Sequence, residues 1–146
     1  MDFFTSMDIS ASALTAERTR MNLISSNLAN AGSTRTAEGG PYKRKDAVFA
    51  AEPVVEPFSS VLKKAGGSME PKQVGVVQIT EDQTPPRLQY DPTHPDADAK
   101  GYVALPNVNV VEEMADMIAA TRTYEANVTA AQAAKSMALK TLELGR

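Results

Sequence analysis

Asp91, His94, Asp96 and Asp98 form the one cluster with metal-ligand chemistry, and His94 is the only histidine in the chain. Carboxylates around an imidazole can hold a divalent cation. Pro92 and Pro95 hold this segment extended, however, so no helix gathers the ligands on one face. Asp and Pro are also what an ordinary turn requires. The cluster is therefore read as a structural turn with no metal and no cofactor, and a small metal-dependent enzyme at His94 ranks below the non-catalytic readings. Nucleophilic chemistry has no better support. No Gly-x-Ser-x-Gly or phosphate loop occurs, and Gly39-Gly40 and Gly66-Gly67 are bare turn signals. Tyr124 and Glu125 suit packing and surface rather than catalysis.

Composition narrows the classes further. A chain of 146 residues suits one domain of ordinary size. Fifteen basic against 18 acidic residues give a net charge of -3, and the only basic run, Lys43-Arg44-Lys45, ends at Asp46. Nucleic-acid binding needs a basic face and is not expected. The absence of Cys excludes disulfides and thiolate chemistry. No apolar run approaches the roughly 20 residues of a membrane span, so a membrane-inserted protein is not expected. Met1-Asp2-Phe3-Phe4-Thr5-Ser6 lacks the basic and apolar regions of a cleaved secretory signal.

The elements follow from spacing. Met7, Leu14, Met21 and Leu28 recur every seven residues, with Phe3, Ile24 and Ala31 on a neighbouring seam that Ser10 and Glu17 interrupt. This pattern predicts an amphipathic helix over Asp2–Ala31, closed by Gly32 as a left-handed cap. From Ser33 to Pro106 the chain is rich in Pro and Gly. Short β-like runs are expected at Lys45–Ala51, Val74–Thr80, Arg87–Tyr90 and Gly101–Leu105. Residues 56–65 fit either a short helix or a mobile loop. Asn109 then caps a second helix, with Glu112 as its box partner. Met114, Met117, Thr121, Tyr124, Val128, Ala131, Lys135, Ala138 and Leu142 alternate steps of three and four along it. That helix should run about 35 residues, or roughly 52 Å at 1.5 Å per residue, to Gly145.

The expected fold is α+β: two long terminal helices packed as an antiparallel coiled-coil-like pair, with a small β-rich and loop middle module. The chain divides into a helix at 1–34, a middle module at 35–106 and a helix at 107–146. The helices are short of charge. Between Ile9 and Thr34 only Glu17, Arg18 and Arg20 are charged, and between Ala126 and Leu142 only Lys135 and Lys140. A helix facing water carries charge on its outer side. Small, weakly polar flanks imply other helices on several sides, as in a multi-chain lattice. A single helical hairpin with an Ala-rich surface is the plain alternative, since Ala is the best helix former.

Ser26-Asn27-Leu28-Ala29-Asn30-Ala31-Gly32-Ser33-Thr34 resembles the N-terminal signature of the flagellar axial proteins, the rod and hook group. Gly39 to Lys45, Tyr90 to Asp98, Gly101-Tyr102-Val103 with Pro106 to Asn109, and Val111 to Val128 look like later stretches of the proximal-rod branch, in the same order. The resemblance implies a structural, non-enzymatic subunit of the basal-body rod, exported by the flagellar type III apparatus without a cleaved signal. It implies terminal helices that pack into a hollow shaft crossing the periplasm, transmitting torque and passing exported subunits. Implied partners are copies of the chain and other rod proteins, with ring and export-gate proteins at the rod base. The expected assembly interface comprises Met7, Leu14, Met21, Ile24, Asn27, Leu28 and Asn30 on the first helix. On the second it comprises Met114, Met117, Ile118, Arg122, Tyr124, Val128 and Leu142. For Asn27 and Asn30, helix termination and an inter-subunit contact stay equally open. The alternatives are a soluble helical adaptor that binds one partner helix, or a distal rod or hook-type subunit.

Overall fold

The computed structural model describes residues 3–53 and 71–144. Among these residues two helices, α1 (Phe3–Ala29) and α2 (Val110–Leu144), flank four strands: β1 (Lys45–Pro53), β2 (Lys72–Glu81), β3 (Arg87–Tyr90) and β4 (Tyr102–Leu105). The class is α+β, as the sequence implies. β1 pairs with β2 and β3 with β4, as two separate two-stranded sheets. The helix-or-loop segment at 56–65 and the stop at Gly145 lie outside the described residues. Contacts divide the chain into two compact units, the first made of Met1–Arg18, Phe49–Val77 and Thr121–Arg146, the second of Thr19–Val48 and Gln78–Ala120.

The second unit shows how local chemistry sets its elements. Asn109 caps α2: its Oδ1 accepts the Val111 N–H at 3.2 Å and its carbonyl the Glu113 N–H at 3.0 Å. Glu112 and Glu113 in the first turn oppose the positive end of the helix. Glu112 stays exposed and makes no bond back to Asn109 among the described residues, so the cap is single rather than reciprocal.

α1 ends differently from the sequence expectation. Gly32 does not adopt a positive φ. Asn30 closes the helix instead: its Nδ2 donates to the Ser26 carbonyl at 2.9 Å, and its Oδ1 accepts the Ser33 hydroxyl at 3.1 Å. Asn suits a last turn because its short amide reaches local backbone groups. The left-handed conformation is used at Gly39 and Gly40 (φ 86° and 82°), in a turn closed by Thr36 N–H on the Gly40 carbonyl.

β3 and β4 pair antiparallel, Arg87 opposite Leu105 and Tyr90 opposite Tyr102. Their connection contains the aspartate cluster, and the side chains of Asp91, His94 and Asp98 serve the turn. Asp91 Oδ1 accepts the Thr93 N–H and hydroxyl, His94 Nδ1 accepts the Asp96 N–H, and Asp98 Oδ1 accepts the Lys100 and Tyr102 N–H groups. Asp96 takes the Thr34 hydroxyl at 2.8 Å. Among the described residues no group of His, Asp and Glu is arranged to hold a metal. The Thr93 side chain, then its backbone N–H, holds the Asp91 carboxyl below the usual carboxylate range. Gly101 closes the turn at φ 80°, where a Cβ would stand 2.9 Å from the Tyr90 ring.

In the first unit, β2 is tied to α1 where the Val74 N–H donates to Ser12 Oγ at 3.2 Å. Among its described residues, Ala16 and Ala134 are the buried apolar ones.

Candidate functional site: a buried polar clasp and unburied helix flanks

Two polar side chains lie at the heart of the second unit. Asn27 on α1 and Glu113 on α2 are each 1% exposed. A buried amide is costly unless all of its hydrogen-bonding capacity is used. Asn27 uses all four positions. Its Oδ1 accepts the Lys45 N–H and the Tyr42 hydroxyl, both at 2.9 Å. Its Nδ2 donates to the Lys45 carbonyl at 2.9 Å and to Glu113 Oε2 at 3.1 Å. The side chain thereby bonds both backbone groups of Lys45, as a neighbouring strand would, at the first residue of β1.

Glu113 Oε1 is taken by Arg44 Nε at 2.5 Å, and the rest of the guanidinium faces Asp46 at 3.5 Å and Asp116 at 3.8 Å. Burial works against the Arg44 cation. The hydrogen bond and charge of Glu113, with Asp46 and Asp116 behind it, outweigh that and hold its pKa above the ordinary value. A buried carboxylate with a cation on one oxygen and an amide on the other is compensated. The cluster therefore has neither a free base nor an activated nucleophile. Its capability is mechanical: it fixes the end of α1, the start of β1 and the start of α2 at one point.

The expected interface residues fall into three groups. Ile24 and Asn27 are buried within the chain. Leu14, Met21, Leu28, Asn30, Met117, Tyr124 and Val128 are half-buried. Met7, Met114, Ile118, Arg122 and Leu142 are exposed, Leu142 at 71%. Asn30 ends its helix, and Asn27 is saturated by groups of its own chain.

On α2 the shielded stripe runs Glu113, Met117, Ala120, Tyr124, Asn127, Ala131, Ala134 and Ala138. The three-four spacing is that of the sequence expectation. At three of the alternate steps, however, the inward residue precedes the expected one: Glu113, Ala120 and Ala134 in place of Met114, Thr121 and Lys135, while Asn127 and Val128 are both half-buried. Small side chains permit the closest approach, so alanines occupy the shielded side and larger apolar groups stand beside it. Glu113, Arg44 and Tyr42 escaped the sequence reading. Glu113 had a signal, since it stands seven residues before Ala120 and fourteen before Asn127 on that stripe.

Comparison with known proteins gives the chain's family. Residues 7–35 match the model described as "Flagella basal body rod protein", and residues 99–144 that of "Flagellar basal body rod FlgEFG protein C-terminal". The chain is 47% identical over 152 aligned positions to the flagellar basal-body rod protein FlgC of Bacillus subtilis, with all of both chains covered. It is 45% identical to the Escherichia coli O6:H1 protein of that name, covering 95% of each chain. For the Aquifex aeolicus one the identity is 41%, covering 98% of this chain and 97% of the other.

Proposed function

Since the chain belongs to the FlgC family of flagellar basal-body rod proteins and is a structural, non-enzymatic subunit of the proximal rod, we propose that its terminal helices carry the polymerisation. Segments 1–34 and 107–146 form the assembly core as an antiparallel coiled-coil-like pair, and 35–106 lies outside them. Met7, Leu14, Met21, Leu28, Met114, Ile118, Arg122 and Leu142 face neighbouring copies and other rod proteins. Met117, Tyr124 and Val128 border that face, and Ile24, Asn27 and Asn30 hold the helix end in shape behind it. The polymer is a hollow shaft crossing the periplasm, which transmits torque and passes exported subunits. Ring and export-gate proteins meet its base, and the subunit travels through the type III apparatus without a cleaved signal.

The observation that carries this reading is the apolar flank both helices leave in water: Met7 on α1, and Met114, Ile118 and Leu142 on α2. Scattered apolar groups on a surface are ordinary, but on α2 they continue through Met137, Leu139 and Leu142, in the stretch from Ala126 to Leu142 whose only charges are Lys135 and Lys140, and such a run marks an interaction face. Polar groups on the helices fit it too. Ser10, Ser12, Thr15, Thr129 and Thr141 donate to carbonyls of their own helix, so their hydroxyl protons need no water when another helix arrives. Among the described residues no helix is long and apolar enough to cross a membrane.

The test is circular dichroism of the purified chain, alone and with partner rod proteins. Helical signal is expected to rise on co-assembly. A chain that is fully helical alone, melts cooperatively and gains nothing from rod partners contradicts the proposal.

A further inference from the structure

The β3–β4 hairpin presents an aromatic face to solvent. Leu88 pairs with Ala104 and Tyr90 with Tyr102, so these four side chains share one side of the two-stranded sheet. On the other side Val103 is buried. Leu88 is 66% and Tyr90 65% exposed, and Tyr102 is exposed beside them. The two rings nevertheless hold each other, edge to face with centroids 5.3 Å apart. Tyr90 also lies against Gly101, where a Cβ would stand 2.9 Å from its ring. The face is thus arranged before anything docks on it, which lowers the ordering cost of a contact. A two-stranded sheet is marginal until a further element packs on it. Another strand is poorly placed to be that element. Pro85 and Pro86 precede β3 and Pro92 follows it, none offers an N–H, and the open edge is only four residues long. A helix laid across the face fits instead.

We infer that the occupant is the start of α2 from a second copy of this chain, with Val111, Met114 and Ile118 laid across Leu88, Tyr90 and Tyr102. This deepens the assembly reading and rests on it. The three helix residues belong to the same unit as the hairpin and are themselves exposed, Val111 at 74%, so a single chain does not close one surface on the other. Their spacing sets them along one side of α2 over roughly 10 Å. Leu88 and Tyr90 stand roughly 7 Å apart along the strand, before the width of the rings is added. The Met114 thioether suits an aromatic surface. Charge agrees: Arg87, next to Leu88, and Glu112, next to Val111, are exposed and opposite in sign, and neither is in an ion pair among the described residues. Symmetry disfavours the simplest alternative. Two sheet faces laid on each other make an isologous contact, which closes as a dimer, whereas a rod subunit meets the next copy through two different surfaces. The face offers on the order of 300 Å², taking about 200 Å² for a whole tyrosine. A stable pair needs about 800 Å² from each partner. The contact therefore adds to a lattice that other contacts also hold, and does not dimerise the free chain.

The chain has no cysteine, so the contact is readable by cross-linking. Leu88→Cys and Val111→Cys are produced together as separate full-length chains in cells lacking the native gene, and isolated basal bodies are oxidised. A mixed disulfide dimer is expected when both chains are present, and no dimer with either alone. Rods that contain both chains but no mixed dimer overturn the inference. So does an equal yield of dimer from Leu88→Cys alone, which means that sheet meets sheet. Entry of Leu88→Glu into basal bodies, read by immunoblot, is the second measurement. Position 88 is exposed, so the urea midpoint of the free chain should not move. Incorporation should fall about tenfold or more, because an unpaired carboxylate in an apolar contact costs at least that. Normal incorporation of Leu88→Glu overturns the inference even where the cysteine chains fail to enter rods. A loss of incorporation with no mixed dimer assigns the face to a different rod protein and also overturns it. Ile118→Asp separates this contact from the reading beneath it. If Ile118→Asp enters rods normally, the assembly reading itself fails; if it is excluded while Leu88→Glu enters normally, only the sheet contact is lost.

Discussion

Removing Arg44 and removing Glu113 should cost very different amounts, although the two side chains form one ion pair. The asymmetry lies in burial: the Glu113 side chain is 2% exposed and that of Arg44 28%. In Arg44→Ala, the Glu113 carboxyl stays in the interior with only the Asn27 amide on it. Breaking a buried pair from the exposed side costs about 3–5 kcal/mol. In Glu113→Met the guanidinium keeps Asp46, Asp116 and water, and the main loss is one acceptor for Asn27 Nδ2, about 1 kcal/mol. The double variant Arg44→Ala/Glu113→Met removes the stranded carboxyl. It should fall well above the sum of the single losses, with a coupling of about 2 kcal/mol or more. Urea unfolding of the full chain followed by tyrosine emission measures this. There is no Trp, and three of the four tyrosines, Tyr42, Tyr90 and Tyr102, lie in the second unit. With a urea slope of about 2 kcal/mol/M, Arg44→Ala should lower the midpoint by about 2 M and Glu113→Met by about 0.5 M. Equal shifts in the two single variants, or a double variant weaker than Arg44→Ala, would refute the reasoning.

Further outcomes follow from other parts of the chain. Gly101→Ala places a Cβ against the Tyr90 ring at a φ of 80°, and should destabilise the second unit by about 1–2 kcal/mol in the same urea assay. The Asp82 and Asp91 carboxyls lie below their ordinary value, held by Thr84 and Thr93 respectively. The stability they contribute is therefore complete above about pH 4, the unfolded value, and is lost as pH falls through the lower folded value. Amide exchange at Thr84 and Thr93 should be insensitive to pH-linked loosening between pH 5 and 8, and the turns should weaken only in stronger acid. Ile118→Asp changes an exposed position, so monomer stability should move by less than about 0.5 kcal/mol, while incorporation into basal bodies, counted by immunoblot, should be lost.

The sequence announces those elements whose signals are local. α2 is legible from Asn109 and its three-four spacing, and β3 and β4 from the Pro and Gly around them. The aspartate cluster is legible as a turn because Asp91 and Asp98 bond within four residues of themselves. The end of α1 was misread because a glycine is the common stop, whereas Asn30, two residues earlier, already closes the helix. The phase of the α2 stripe was displaced at three of the alternate steps because hydrophobicity marks large residues as inward, while the closest packing selects Ala120 and Ala134. Arg44 and Glu113 are 69 residues apart, and no local pattern links them.

The Asn27 pocket also measures length. Two strand-like bonds to Lys45 and one to each of Tyr42 and Glu113 require an amide one carbon from the backbone. Aspartate has the reach but presents oxygen where two donors are needed; glutamine has the donors but overshoots by a methylene. Of the twenty side chains, asparagine alone combines that reach with that set of donors and acceptors, so the bend from helix into strand is gauged by a single amide.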